Sequence, residues 1–396
     1  MGEPRYINRS LGLKQAVTPQ LVRDYHSPLV ERMRAEGNRL QVGPLTFRLA
    51  REFGFCYGVD RAIEYAYETR EKFPERRIFI TGEIIHNPGV NRRLTEMGIR
   101  FLDGRDGVAV EDLLPDDVVL LPAFGVPLAD MEGLRARQVV LVDTTCGSVL
   151  NVWKNVERFT RAGHTALIHG KYAHEETRAT ASRARSQPGG HFVVVRDLEE
   201  AEQVCAYIEH GGDRAAFLAR FGEAVSPGFD PDLHLARIGC ANQTTMLSSE
   251  SLAIAERVRA AMVARWGEGE AAERFRAFDT ICSATQDRQD ALVALLDEGP
   301  MDLMLVIGGY NSSNTGHLVE IAGTRVPTFH VQHADCLESA EVVRHQPLGS
   351  TEEVRSPGWL PRGPAVIGIT AGASTPNSEI ERVLRRVAAF RDLALD

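Results

Sequence analysis

The stretch VDTTCGSV, residues 142–149, closes an apolar run from Val139 to Val142 and opens a helical pattern of Val149, Val152, Trp153, Val156 and Phe159. Cys146 is therefore expected where a strand gives way to a helix N-terminus. Unpaired backbone N–H groups and the positive end of the helix lower a thiol pKa at such a position from about 8.5 to roughly 3.5–7.5. A thiolate is the form that metals bind. One such cysteine reads equally well as a small buried apolar residue, so the weight falls on recurrence.

The pattern occurs three times. Cys56 in FGFCYGVDRAIEYAYE and Cys282 in FDTICSATQDRQDALVALL also precede helical patterns. After each cysteine a second apolar strand ends in a polar loop: IFITGEIIHNPGV with His86, TALIHGKYAHEET with His174, and LMLVIGGYNSSNT with Ser312. The separations are 30 positions from Cys56 to His86, 28 from Cys146 to His174 and 30 from Cys282 to Ser312. A third strand then runs into VVLLPAFGVP near Phe124, ARIGCANQTT near Thr244 and VIGITAGASTP near Ser374. Strands alternating with helices from Leu45 onward predict an α/β architecture with largely parallel sheets. Three copies of one unit predict three small α/β domains in a pseudo-threefold trefoil, with function on the axis where strand ends and helix N-termini converge.

On this reading residues 1–45 form an N-terminal arm that packs on the core, with an amphipathic segment near Leu21 to Met33. Residues 46–138 form the first domain, 139–275 the second, and 276–396 the third with a C-terminal helix. The second domain carries a peripheral insertion near 187–235, whose Cys205 belongs to a core.

At 396 residues and 43% hydrophobic, the chain is long enough for two or three domains, and a net charge of −9 argues against nucleic acid or an anionic membrane as the main partner. Six cysteines without a C-x-x-C pair, and no signal-peptide pattern, point to a reducing, cytoplasmic setting without disulfides. No apolar run approaches the ~18 residues of a membrane span.

Three thiolates so widely spaced in sequence suit an iron–sulfur cluster better than a zinc site, whose ligands come in close pairs. Three ligands on a four-iron cube leave one iron open as a Lewis acid. The surrounding loops are rich in anion-binding groups. Asn87-Pro88 reads as an N-cap and first helical residue, Thr375-Pro376 repeats that arrangement, and Ser312 to Thr315 opens the run Leu318 to Ile321. Helix N-termini of this kind form a phosphate or diphosphate site. There is no G-x-x-x-x-G-K-[ST] loop, no H-E-x-x-H, and no flavin or nicotinamide fingerprint after a strand.

Through the segments GFCYGV, HNPGV, DTTC, HGKYAHEET, NQTT, DTICSAT, NSSN and TAGAS, spread from Leu45 to Arg386, the chain resembles the family of LytB-like 4-hydroxy-3-methylbut-2-enyl diphosphate reductases. Its arm and insertion resemble the longer variant of cyanobacteria and plastids. The resemblance implies a 4Fe-4S cluster held by Cys56, Cys146 and Cys282. It also implies diphosphate ligands His86, His174, Ser312, Asn314 and Ser374 with Ser313 beside them, Glu176 as proton donor, and Thr244 as its partner near the substrate hydroxyl. The implied reaction is reductive dehydroxylation, the last step of the non-mevalonate isoprenoid pathway. The open iron binds the substrate hydroxyl, two electrons arrive, the oxygen leaves as water, and protonation at either of two carbons gives isopentenyl or dimethylallyl diphosphate. Lacking a nucleotide-cofactor motif of its own, such an enzyme draws electrons from a ferredoxin- or flavodoxin-type partner.

Two positions depart from the family pattern. Phe124 stands where shorter members carry a substrate-contacting histidine, for which His169 or Lys171 is a candidate substitute. Gly147 stands where many members have proline. Two other functions fit parts of the pattern. A non-catalytic iron–sulfur regulator or scaffold needs the cysteines but not His174, Glu176 and NSSN. A metal-dependent phosphohydrolase needs several carboxylates in place of thiolates.

Overall fold

The cysteine-bearing strand of each copy pairs with the third strand of the copy before it, and this pairing organises the architecture. Val140–Asp143 runs parallel to Val118–Leu121, Phe275–Ala277 to Ile238–Asn242, and Leu45–Leu49 to Ala365–Ala371, so the series closes on itself from the third copy back to the first. The structure, a computed structural model, describes residues 5–102 and 104–395. It separates into two compact units, Met1–Ile7 with Leu102–Cys282, and Asn8–Phe101 with Ser283–Asp396.

In the first unit the strands Phe275–Ala277, Ile238–Asn242, Thr165–His169 and Phe192–Val195 lie side by side in that order, all parallel. The last three are buried along their whole length, as parallel strands covered on both faces are. Successive side chains alternate between faces. Ala166, Ile168, Phe192 and Val194 meet Val152, Val156 and Phe159 of the helix Gly147–Arg161. Leu167, Val193 and Val195 face a second cluster with Val204, Cys205, Ile208, Ile254 and Val258. The insertion thus supplies the edge strand Phe192–Val195 and the helix Leu198–His210, and its Cys205 is core as expected. A second strand set orders Tyr6–Ile7, Val140–Asp143 and Val118–Leu121 in parallel.

In the second unit a five-stranded sheet orders Thr328–Val331, Leu303–Ile307, Ala365–Ala371, Leu45–Leu49 and Arg39–Val42, with only the last pair antiparallel. Ile78–Ile80 and Ile99–Phe101 form a further parallel pair. The arm packs on this unit's core, as its sequence suggests. Leu29, Val30 and Met33 join Phe47, Leu305, Ile367 and Val383 in one cluster. The fully buried Glu68 carboxylate accepts from Ser10 Oγ and the backbone N–H groups of Leu11 and Leu13.

The amphipathic segment near Leu21 to Met33 comprises the end of the helix Lys14–Tyr25 and the helix Pro28–Ala35. Ser27 caps the second helix through Val30 N at 3.0 Å, and Pro28 fits the first helical position, where no N–H is needed. Thr375 is not an N-cap: its hydroxyl donates to Ile307 O at 3.0 Å, and the C-terminal helix starts at Asn377. Among the described residues no helix is long and apolar enough to cross a membrane.

Candidate active site

All three predicted cysteines sit at helix starts. Cys56 is the N-cap of Tyr57–Lys72, Cys146 that of Gly147–Arg161, and Cys282 directly precedes Ser283–Asp297. Each is half-buried, and each donates its backbone N–H to the loop after the neighbouring third strand. The acceptors are Ala373 O at 3.2 Å for Cys56, Ala123 O at 2.9 Å for Cys146 and Thr244 O at 3.1 Å for Cys282.

The D-T-x-C sequence explains two of these turns. Asp143 Oδ1 accepts from Thr145 N at 2.9 Å and Asp279 Oδ1 from Ile281 N at 3.0 Å, an Asx turn in both cases. The next threonine then ties the turn to the adjacent strand, Thr144 through Leu121 O at 2.6 Å and Thr280 through Asn242 O at 2.8 Å. The other three cysteines are buried in apolar clusters. Burial pushes the Cys205 thiol up to about 12 and drives Cys240 upward as well, away from the thiolate a metal requires.

In the first unit, Glu176, Thr244, His174 and Phe124 come together around Cys282 and Cys146. Glu176 is 1% exposed, whereas Glu175 is exposed. Its carboxylate accepts from Thr244 N at 2.6 Å and Thr244 Oγ1 at 3.0 Å, and Thr244 O in turn accepts the Cys282 N–H. One residue therefore fixes both the carboxyl and the cysteine turn.

His174 caps the helix Glu175–Ala184, its Nδ1 accepting from Glu176 N at 3.1 Å. A nitrogen that accepts carries no proton, so the neutral ring has its hydrogen on Nε2. Phe124 meets the His174 ring edge-on at 5.6 Å and 77°. The loop carrying Phe124 turns at Gly125, with φ of +75°, where a Cβ would fall 2.3 Å from the Trp153 ring. Gln243, which the sequence reading passed over, holds the start of the Glu176 helix, accepting from Thr177 Oγ1 at 2.9 Å and Lys171 N at 3.1 Å. His169 does not stand in for the family histidine. It is buried against Ser251 Oγ at 2.8 Å, with Glu250 3.6 Å from its other nitrogen.

In the second unit, donors gather near Cys56. Ser312 caps the helix Ser313–Gly323, its Oγ accepting from Thr315 N at 3.3 Å, so its hydroxyl hydrogen stays available to an anion. Asn314 Oδ1 accepts from Ala373 N at 2.9 Å, which fixes the amide and leaves Nδ2 buried without a partner. A buried unpaired N–H costs roughly 1–3 kcal/mol, which an anion accepted from it would offset. Ser313 is buried at the first helical position. Asn87 caps Pro88–Glu96 through Val90 N at 3.1 Å, as predicted, and so fixes the exit from His86. Ser374 donates its hydroxyl to His86 O at 3.0 Å, so contact with a phosphate requires it to exchange that partner. His86 itself lies against Glu83 and Asn311, neither singled out in the sequence.

A family model described as LytB protein matches residues 47–388. Among curated relatives, the 4-hydroxy-3-methylbut-2-enyl diphosphate reductase of Gloeobacter violaceus is 50% identical over 393 residues, covering 98% of this chain and 93% of the relative. That of Thermosynechococcus vestitus is 49% identical over 391 residues, covering 98% and 96%. The solved structure of (E)-4-hydroxy-3-methyl-but-2-enyl diphosphate reductase, described as the terminal enzyme of the non-mevalonate pathway, is similar at a TM-score of 0.51 and 28% identity, over 87% of this chain and 99% of that one. The Plasmodium falciparum E-1-hydroxy-2-methyl-but-2-enyl-4-diphosphate reductase shares the fold at a TM-score of 0.61 and 20% identity, over 85% and 86%.

Proposed function

The chain belongs to the LytB family, and on that premise we propose how its own residues carry the family's reaction. The enzyme reductively removes the hydroxyl of 4-hydroxy-3-methylbut-2-enyl diphosphate, the terminal step of the non-mevalonate pathway, giving isopentenyl and dimethylallyl diphosphate.

We assign a 4Fe-4S cluster to Cys56, Cys146 and Cys282. The donor set fits: three half-buried thiols at helix starts with their backbones pinned, while burial keeps Cys205 and Cys240 protonated. When bound, the cluster supplies the electrons and an iron not filled by protein sulfur. The electrons come from a one-electron carrier of the ferredoxin or flavodoxin type, since the sequence has no flavin or nicotinamide fingerprint.

The protein's part is to grip the diphosphate, exclude water and deliver a proton. Ser312 Oγ–H, Asn314 Nδ2–H and the N-terminus of Ser313–Gly323 offer donors to the anion, joined by Ser313, His86, neutral His174 through Nε2–H, and Ser374 once it leaves His86 O. Each charge-assisted bond contributes roughly 1.5–3 kcal/mol.

Hydroxide is a poor leaving group, and the buried Glu176 supplies the proton that lets the substrate oxygen depart as water. Protonated Glu176 reverses its bond to Thr244, which then accepts from the acid and turns its own hydrogen toward the substrate hydroxyl. The observation that carries these roles is the single residue Thr244 holding both Glu176 and the Cys282 turn. Anaerobic turnover with a chemical electron donor should yield both isomeric products. Substrate left unconsumed by cluster-loaded, reduced protein would contradict the reading.

A further inference from the structure

We propose that Arg288 is a charge-compensating residue for the cluster, a buried cation that steadies the Cys56 turn and makes the bound cluster easier to reduce; this rests on the reading of Cys56, Cys146 and Cys282 as cluster ligands. Arg288 stands on the helix Ser283–Asp297, which begins directly after Cys282, and is 4% exposed. Helical side chains lean toward the N-terminus of their helix. Arg288 does so, its Nη1 donating to Ala284 O at 2.7 Å in the first turn. Its Nη2 donates to Gly54 O at 2.7 Å, across 234 residues of chain. Gly54 lies two positions before Cys56. It takes a φ of +73°, its N–H donates to Ala371 O at 3.3 Å, and a Cβ there would fall 3.0 Å from Asn377 Oδ1. The guanidinium thus ties the helix that follows one cysteine to the turn that presents another.

Nothing local balances its charge. A guanidinium stays protonated in proteins, and a buried charge is costly unless an opposite charge meets it. Arg288 donates only to neutral carbonyls, and its Nε is buried without a partner. Asp60, the acid that senses it, is exposed to water and forms no ion pair with it. Its own helix opposes it as well, because positive charge is disfavoured at a helix N-terminus. An iron–sulfur cube carrying three thiolates is anionic and becomes more so on reduction, and net charge around the sulfurs is among the factors that set its potential. A fixed cation beside the Cys56 turn offsets that charge, and it favours the reduced cluster over the oxidised one.

Arg288→Gln and Arg288→Lys separate charge from geometry, since glutamine can still donate to Gly54 O and lysine keeps the charge. The readouts are iron and sulfide per chain and the midpoint potential of the bound cluster, taken from an anaerobic spectroelectrochemical titration. We expect the reduced cluster of Arg288→Gln to be disfavoured about tenfold relative to wild type, a midpoint about 59 mV lower. We expect Arg288→Lys to stay within about threefold of wild type. Iron lost from Arg288→Gln but kept by Arg288→Lys would also support the charge role. A wild-type or higher midpoint in Arg288→Gln would overturn it, as would an equal fall in both variants or loss of iron from both. Wild type that takes up no iron and sulfide would instead overturn the cluster reading, and the proposal with it.

Discussion

Replacing Glu176 by glutamine removes the acid while leaving the geometry that holds it. The carboxylate accepts from Thr244 N at 2.6 Å and from Thr244 Oγ1 at 3.0 Å. In Glu176→Gln the amide oxygen keeps the backbone N–H, and the amide nitrogen donates to Thr244 Oγ1, whose hydroxyl rotates from donor to acceptor. Both contacts persist, but bonds to a charged group worth roughly 1.5–3 kcal/mol become neutral ones worth roughly 0.5–1.5. The expected loss of stability is about 1–1.5 kcal/mol per bond, about 2–3 kcal/mol for the two, which lowers the melting temperature by about 4–12 °C for a unit of this size. The cap on His174 is untouched, because it uses the backbone N–H of residue 176. Turnover is another matter: losing a general acid removes ~10²–10⁴-fold. Steady-state reduction with a chemical donor, beside cluster absorbance and KM, separates the two effects. Glu175→Gln, at an exposed position, should stay active. Turnover of Glu176→Gln within about threefold of wild type, or an inactive Glu175→Gln with its cluster intact, would refute the reasoning.

Phe124→Ala removes the ring edge-on to His174, a contact worth about 0.5–1.5 kcal/mol, so turnover should fall severalfold while Phe124→His is tolerated; wild-type kinetics would place the ring outside the site. Asn314→Ala deletes both the bond to Ala373 N and the unpaired Nδ2 donor, and should weaken substrate binding about ten- to a hundredfold by titration calorimetry. Burial lowers His330 to about 4 while the unfolded chain keeps about 6.5, so the unfolded state binds more protons between these values. The second unit should therefore lose stability as pH falls from about 6.5 toward 4, by up to about 3 kcal/mol from this residue. Melting curves of wild type and His330→Gln over that range should converge as pH drops, and parallel curves would contradict it.

Part of the local geometry was legible because nearby residues write it. D-T-x-C encodes an Asx turn and a strand-seeking threonine, and Asn87-Pro88 encodes a helix start, whereas the roles of His174 and Glu176 came from the family resemblance alone. What escaped depends on long-range partners. Thr375 resembles a cap, yet a carbonyl of the Leu303–Ile307 strand claims its hydroxyl. Ser27-Pro28 carries a helix-start signal that the reading of the arm did not use. Glu83 lies three positions before His86, a spacing that reads as a solvated acid until Asn311 arrives from 228 residues away. His169 lies in a promising segment, but its direction at the end of the strand Thr165–His169 is set by Ser251 on the helix Ser248–Arg274. The threefold repeat was visible in the spacings, whereas the pairing of each cysteine strand with the preceding copy is fixed by the sheet register.

The central claim is that Cys56, Cys146 and Cys282 together hold the redox cluster. Iron and sulfide per chain, measured on anaerobically prepared wild type and on single cysteine variants, tests it most directly. Serine at any of these three positions should abolish the visible absorbance and most of the bound iron, while Cys205→Ala, Cys240→Ala and Cys336→Ala should retain wild-type iron. Loss of iron from folded Cys240→Ala, or full retention in Cys56→Ser, Cys146→Ser or Cys282→Ser, would contradict the account.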